Sequence, residues 1–210
     1  MLEFKNVCVG LADGTQSAPF SLVVNGGETV CLSGPGGSGK TRLLMAVMGL
    51  APLAAGYITV DGELVTPGSG SYFRQLMAYV PQQPPWNTLT VAELCRQLFA
   101  LKVNRVRAFD RPALMARWRQ LGVDERCYDR ATQTLTRPQL QLVLLSMLPL
   151  LGRPMVLLDE IPQTPAVQAL LHQLTADGAE VVCTCREPLH GSGAEADGGT
   201  PTAFDKMIKL

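Results

Sequence analysis

Residues Gly34-Pro-Gly-Gly-Ser-Gly-Lys-Thr41 constrain this chain more than any other stretch, because they match the spacing G-x-x-x-x-G-K-T throughout. A short β-rich run, Thr29 to Ser33, precedes the loop. Leu43, Leu44, Val47 and Met48 then recur at helical spacing, which predicts a helix over Lys40 to Leu50. Glycines at 34, 36, 37 and 39 let successive backbone N–H groups point into one concavity, where they and the positive helix end attract phosphate oxygens. Lys40 supplies a point charge for β- and γ-phosphates, and the Thr41 hydroxyl is placed to ligate a bridging Mg²⁺. The expected ligand is a nucleoside triphosphate, ATP with Mg²⁺, held by Gly34, Pro35, Gly36, Gly37, Ser38, Gly39, Lys40 and Thr41.

The surrounding pattern predicts an α/β fold. Leu2 to Val9 and Phe20 to Val24 read as an antiparallel β start, and Gly56 to Gly62 as a strand entering an Asp-Gly turn. Another short extended run, Leu76 to Val80, stops at Pro81 to Pro85. From Thr90 to about Gly122 the pattern turns helical, with Val91, Leu94, Leu98 and Leu101 on one face and Leu114, Trp118 and Leu121 on another. A helix near Gln139 to Leu150, the strand Met155 to Leu158, a helix near Val167 to Thr175 and the strand Glu180 to Cys185 then alternate as in a mainly parallel sheet. Gly191 to Thr202 reads as a mobile loop, and Phe204 to Leu210 as a final strand.

Length and composition narrow the function classes. At 210 residues the chain suits one domain, 1–210, with a helical subdomain inserted at about 86–138. Lys plus Arg and Asp plus Glu number 18 each, so net charge gives no argument for a nucleic-acid partner. Six cysteines lie mostly in apolar runs without metal spacing and read as buried, reduced thiols of a cytosolic protein. The first residues, MLEFKNVCVG, lack the apolar core of an export signal. The uncharged stretches Leu43 to Val60 and Pro138 to Gly152 are too interrupted or too short to span a membrane. Lys102, Arg105, Arg107, Arg111, Arg117 and Arg119 make the helical insertion basic, which reads first as a solvated face. Trp86 is a candidate partner contact or a core residue.

Two carboxylates complete the chemistry. Asp159 ends the apolar strand Met155 to Leu158, so its carboxylate is expected at the carboxyl edge of the sheet, where it can hold Mg²⁺. Glu160 follows, placed to orient and polarise a water for in-line attack on the γ-phosphorus.

Over nearly its whole length the chain resembles the ATP-binding-cassette family of ATPases. The matching pieces are GPGGSGKT at 34–41, AYVPQQ at 78–83, LTRPQ at 135–139 and VLLDE at 156–160, in family order. The resemblance implies a P-loop NTPase core and makes Gln82 the glutamine that touches Mg²⁺ and the attacking water. It thus gives a catalytic set of Glu160, Gln82 and Lys40, and metal contacts from Thr41, Gln82 and Asp159. It also implies a separate transmembrane permease subunit, a homodimer or a heterodimer with another cassette, and a cytoplasmic place on the inner face of the cell membrane.

The departures from the family are specific. Leu135-Thr-Arg-Pro-Gln139 stands where the family has Leu-Ser-Gly-Gly-Gln, so a bulky cation and a residue without N–H replace both glycines. Ile161 to Ala166 lacks the aspartate of the family's Ser-Ala-Leu-Asp segment. Cys185 occupies the place of the switch histidine, with His190 five residues later, and no aromatic ring for the adenine lies in Val9 to Gly14. The sequence therefore predicts a transport ATPase subunit that is slow on its own. The alternative is a nucleotide-binding regulatory or assembly subunit with little turnover.

Overall fold

The computed structural model describes residues 1–11, 13–85, 88–186 and 204–210. The expectations placed on Trp86, on His190 and on the loop from Gly191 to Thr202 fall outside these residues.

The chain opens with β1 (Leu2–Cys8) and β2 (Phe20–Val24), then enters β3 (Thr29–Ser33) and α1 (Lys40–Val47). The hairpin β4 (Ala55–Val60) and β5 (Glu63–Leu64) follows, turned by Asp61 and Gly62, both at positive φ. These strands form an antiparallel sheet in the order β2-β1-β4-β5. A one-turn helix, α2 (Gly70–Phe73), leads to β6 (Met77–Val80). Next come α3 (Val91–Ala100), α4 (Arg111–Leu121) and α5 (Arg137–Leu151), then β7 (Met155–Leu158), α6 (Pro165–Ala176), β8 (Glu180–Cys185) and β9 (Lys206–Lys209). The second sheet runs β6-β7-β8-β3-β9, every neighbouring pair parallel.

Burial explains why the parallel strands are mainly apolar: every residue of β3, β7 and β8 is buried, polar residues standing only at or next to the strand ends. One apolar cluster packs α1 between the two sheets, joining Leu43, Leu44 and Val47 to Phe4, Ile58 and Val182. A second cluster merges α3, α4, α5 and α6 with β7 and β8, so the helical insertion shares its core with the sheet. Within it the Trp118 indole donates to Ser146 Oγ at 2.9 Å, which gives the polar edge of a fully buried ring its partner.

The structure corrects some boundaries. Helix α1 stops at Val47 because Gly49, at φ 67°, reverses the chain. Leu101 does not belong to the buried face of α3: it lies past the helix end and is 52% exposed. Ala92, Cys95 and Phe99 join Val91 in the core instead. The basic residues of the insertion are exposed, except for the half-buried Arg117, and some of them also make contacts within the fold. Arg119 pairs with Glu125, Arg111 lies over the Tyr128 ring and Arg117 bonds Gln120 and Gln173. All six cysteines are buried and free.

Candidate functional site

Strands β3, β7 and β8 are adjacent and parallel, so the residues that follow them emerge together at one sheet edge. That edge carries the glycine loop after β3, Asp159 and Glu160 after β7, and Arg186 after β8.

The loop owes its shape to its glycines. Gly37 and Gly39 both sit at φ 86°, a region that residues with side chains rarely enter. A Cβ on Gly34 would stand 2.6 Å from Ser38 Oγ and 2.7 Å from the carbonyl of Leu210, so the end of the β9 segment closes the loop from below. Ser38 Oγ is buried without a hydrogen-bond partner among the described residues. Lys40 is 4% exposed and folds back so that Nζ donates to the carbonyls of Gly34 and Pro35, each at 2.8 Å.

Asp159 is 1% exposed and surrounded by hydroxyls. Thr41 Oγ1 donates to its Oδ2 at 2.7 Å, Thr184 Oγ1 to its Oδ1 at 2.7 Å, and Tyr79 OH reaches Oδ2 at 3.5 Å. Burial first, and then the Asp159 charge, push the Tyr79 phenol above its ordinary range, so it stays a neutral donor. No ion pair of Asp159 occurs among the described residues, an arrangement that leaves a buried carboxylate without a cation.

Glu160 has φ 46°, in the left-handed region. Two side chains hold this backbone: its N–H donates to Thr184 Oγ1 at 2.9 Å, and its carbonyl accepts from Gln141 Nε2 at 3.4 Å. Its carboxylate takes Gln82 Nε2 at 2.5 Å and Arg186 Nε at 2.7 Å on Oε2, with Lys40 Nζ 3.6 Å from Oε1. Gln82, Lys40, Thr41, Glu160 and the loop glycines 36, 37 and 39 line one cleft of about 340 Å³, with Gly10, Leu11, Arg42 and Arg186. The structure thus brings Lys40, Thr41, Gln82, Asp159 and Glu160 together. Gln82 meets Glu160 rather than the Thr41–Asp159 pair.

The departures also have a geometry. Thr136 caps α5, and Thr136 and Gln139 bond each other reciprocally in a capping box, leaving Arg137 and Pro138 exposed in its first turn. The Cys185 side chain is turned into the core, its Sγ 3.1 Å from that of Cys31. Burial and then the Cys31 contact push the thiol up to about 12, so it is neutral at physiological pH.

Three residues of the site escaped the sequence reading. Gln141, 3% exposed, donates to the carbonyls of Pro81 and Gln82 at 3.2 and 3.3 Å as well as to Glu160. It entered the sequence only as a polar interruption of an apolar run, and that interruption was its signal. Thr184 was hidden inside a strand, and Arg186 had no pattern to mark it.

The family model described as ABC transporter matches residues 18–163. Among curated proteins, the thiamine import ATP-binding protein ThiQ of Escherichia coli O157:H7 is 33% identical over 146 residues, which cover 67% of this chain and 60% of that one. A putative ribose/galactose/methyl galactoside import ATP-binding protein of Agrobacterium fabrum is 35% identical over 97 residues, 46% of this chain and 19% of its own. The chain therefore spans from about a fifth to three fifths of the length of these relatives. Among solved structures, a putative ABC transporter ATP-binding protein from Pyrococcus furiosus superposes with TM-score 0.76 at 17% identity, over all of this chain and 96% of that one. A dimeric ATP-binding cassette in a post-hydrolysis state, bound to ADP and Pi, gives 0.70 at 22% identity over 88% and 87% of the two chains. At these identities the superpositions speak for the fold.

Proposed function

Because this chain belongs to the ABC transporter family, we propose that it is an ATP-binding subunit that binds and hydrolyses Mg-ATP to drive a separate transmembrane permease. The observation that carries this reading is the convergence of Lys40, Thr41, Gln82 and Glu160 on one cleft at the carboxyl edge of a parallel sheet, with Asp159 directly beneath. The residues fit the ligand. The left-handed glycines open a cradle of backbone donors, and the buried, unpartnered Ser38 hydroxyl lies within it. Lys40 now satisfies its ammonium on loop carbonyls and would turn it to phosphate oxygens.

Mg²⁺ fits the donor set as well: Thr41 Oγ1 and a buried carboxylate lacking a cation lie together, and hard oxygen donors suit that ion. Bound there, Mg²⁺ would neutralise charge on the phosphates. Glu160 would orient the attacking water, and Gln82, bonded to Glu160, would hold that carboxylate in place. Gln82 as a direct contact of Mg²⁺ and of the water is also part of this reading.

Among the described residues no helix is long and apolar enough to cross a membrane, which accords with a permease supplied by another chain. The subunit would work as a homodimer or as a heterodimer with a related cassette, peripheral to the inner face of the cell membrane and without a nucleic-acid partner. The whole of 1–210 would form one cassette, with its helical subdomain at about 86–138. The import proteins among its relatives favour a small-molecule cargo.

A regulatory subunit with little turnover is the second reading. The capping box at Thr136–Gln139 and the inward thiol of Cys185 favour it, because the box occupies the N–H groups of Thr136 and Gln139, Pro138 has none, and the thiol offers no imidazole donor to a phosphate. Glu160→Gln separates the two readings. The ATPase predicts loss of steady-state turnover by about a hundredfold or more with ATP binding kept, since the removed group acts on the water. Unchanged turnover would leave the regulatory reading standing.

A further inference from the structure

Arg186 closes the end of the cleft that holds Glu160, and nothing in the site as read so far uses it. It follows the last residue of β8 directly and lines the cleft with Lys40, Thr41 and Gln82. Its Nε donates to Glu160 Oε2 at 2.7 Å, the oxygen that also accepts from Gln82 at 2.5 Å. Among the described residues the guanidinium is therefore held at a single point on a shared acceptor, although its planar fork is suited to two parallel bonds. With its side chain 68% exposed, it stands at the rim of the cleft.

The position of Glu160 decides which part of a triphosphate Arg186 faces. If Glu160 orients the water that attacks the terminal phosphorus, a cation in contact with Glu160 lies beside the terminal phosphate and not beside the α-phosphate or the base. The residue before it is excluded from that role, since the Cys185 thiol is buried against Cys31. A terminal phosphate offers several anionic oxygens to a guanidinium that now shares one carboxylate oxygen. We propose that Arg186 is a ligand of the ATP γ-phosphate, and that its guanidinium passes from Glu160 to the phosphate when ATP binds. The exchange fixes the γ-phosphate and frees Glu160 Oε2 of one donor, which leaves that carboxylate a better acceptor for the water.

This inference rests on the nucleotide reading, and its test separates the two. Calorimetric titration of the full chain uses Mg-ADP and the non-hydrolysable β,γ-imido analogue of Mg-ATP, for wild type, Arg186→Ala and Arg186→Lys. Arg186→Ala is expected to weaken the triphosphate by roughly tenfold, the scale of a charge-assisted bond, and to leave ADP within about twofold. Arg186→Lys should recover part of the loss, because it restores the cation without the fork. Retained ADP binding also shows that the variant is folded. Equal losses for both nucleotides, or an unchanged or tighter triphosphate, overturn the role of Arg186 while nucleotide binding stands. A wild-type chain that binds neither nucleotide overturns both.

Discussion

One buried amide, that of Gln141, holds the carbonyls of Pro81, Gln82 and Glu160 together and so ties a helix to the two loops that carry Gln82 and Glu160. Gln141→Leu keeps the volume but leaves those carbonyls without their donor and Glu160 without one of two restraints on its left-handed backbone. The expected cost is about 1–3 kcal/mol in unfolding free energy by urea titration. ATP turnover should fall further than ATP affinity, because the loop that grips phosphate is untouched. At this scale the sequence showed the groups whose chemistry depends on a local pattern: Lys40 and Thr41 follow from the loop, and Asp159 and Glu160 from the end of an apolar strand. The roles of Gln141, Thr184 and Arg186 were illegible because they depend on which elements become neighbours. The pairing of β7 with β8 alone brings Thr184 under Asp159.

Among the elements, β9 shows how a distant segment sets the loop. It pairs in parallel with β3, Leu210 N–H donates to Ser33 O at 2.8 Å, and the Leu210 carbonyl leaves Gly34 no room for a side chain. The strand is anchored at its start by Lys206 Nζ, which donates to Glu28 Oε2 at 2.6 Å and to the carbonyl of Val23 at 2.8 Å. The Lys206 bond, followed by the Asn25 backbone N–H, holds the Glu28 carboxyl below its ordinary value of 4.5. A carboxyl with a depressed folded value adds stability above its unfolded value and loses it as pH falls through the folded one. Lys206→Met should therefore destabilise the chain at pH 7, with the difference from wild type shrinking as pH falls below the ordinary carboxyl range and through the depressed value of Glu28, where that carboxyl takes up its proton. Thermal unfolding at pH 7 and pH 3 reads this directly. A final strand was legible from Phe204 to Leu210, but its partner was not, since a short run of alternating residues carries no record of its neighbours. The helical insertion was legible by period. Leu101 was misplaced on its buried face because periodicity cannot see where a helix stops.

For the molecule as a whole, two apolar clusters meet along the parallel sheet, and the cleft opens at the edge where β3, β7 and β8 end. The architecture was legible because strand, loop and helix alternate with regular periods, and because the loop dictates a parallel strand at its base. What the segments at 135–139 and 185 do in place of the family's residues was not legible, since it depends on packing: one became a helix cap and the other a core thiol. On the proposed reading, such a molecule would grip a triphosphate by the loop and would depend on a second chain for its full rate. The grip is tested most directly by equilibrium binding of Mg-ATP to the purified wild-type chain and to Lys40→Ala. The wild type should bind, and Lys40→Ala should bind at least roughly tenfold more weakly, because the ammonium in the loop is lost. A wild-type chain that does not bind Mg-ATP, or a Lys40→Ala chain that binds it as tightly as wild type, would contradict the account.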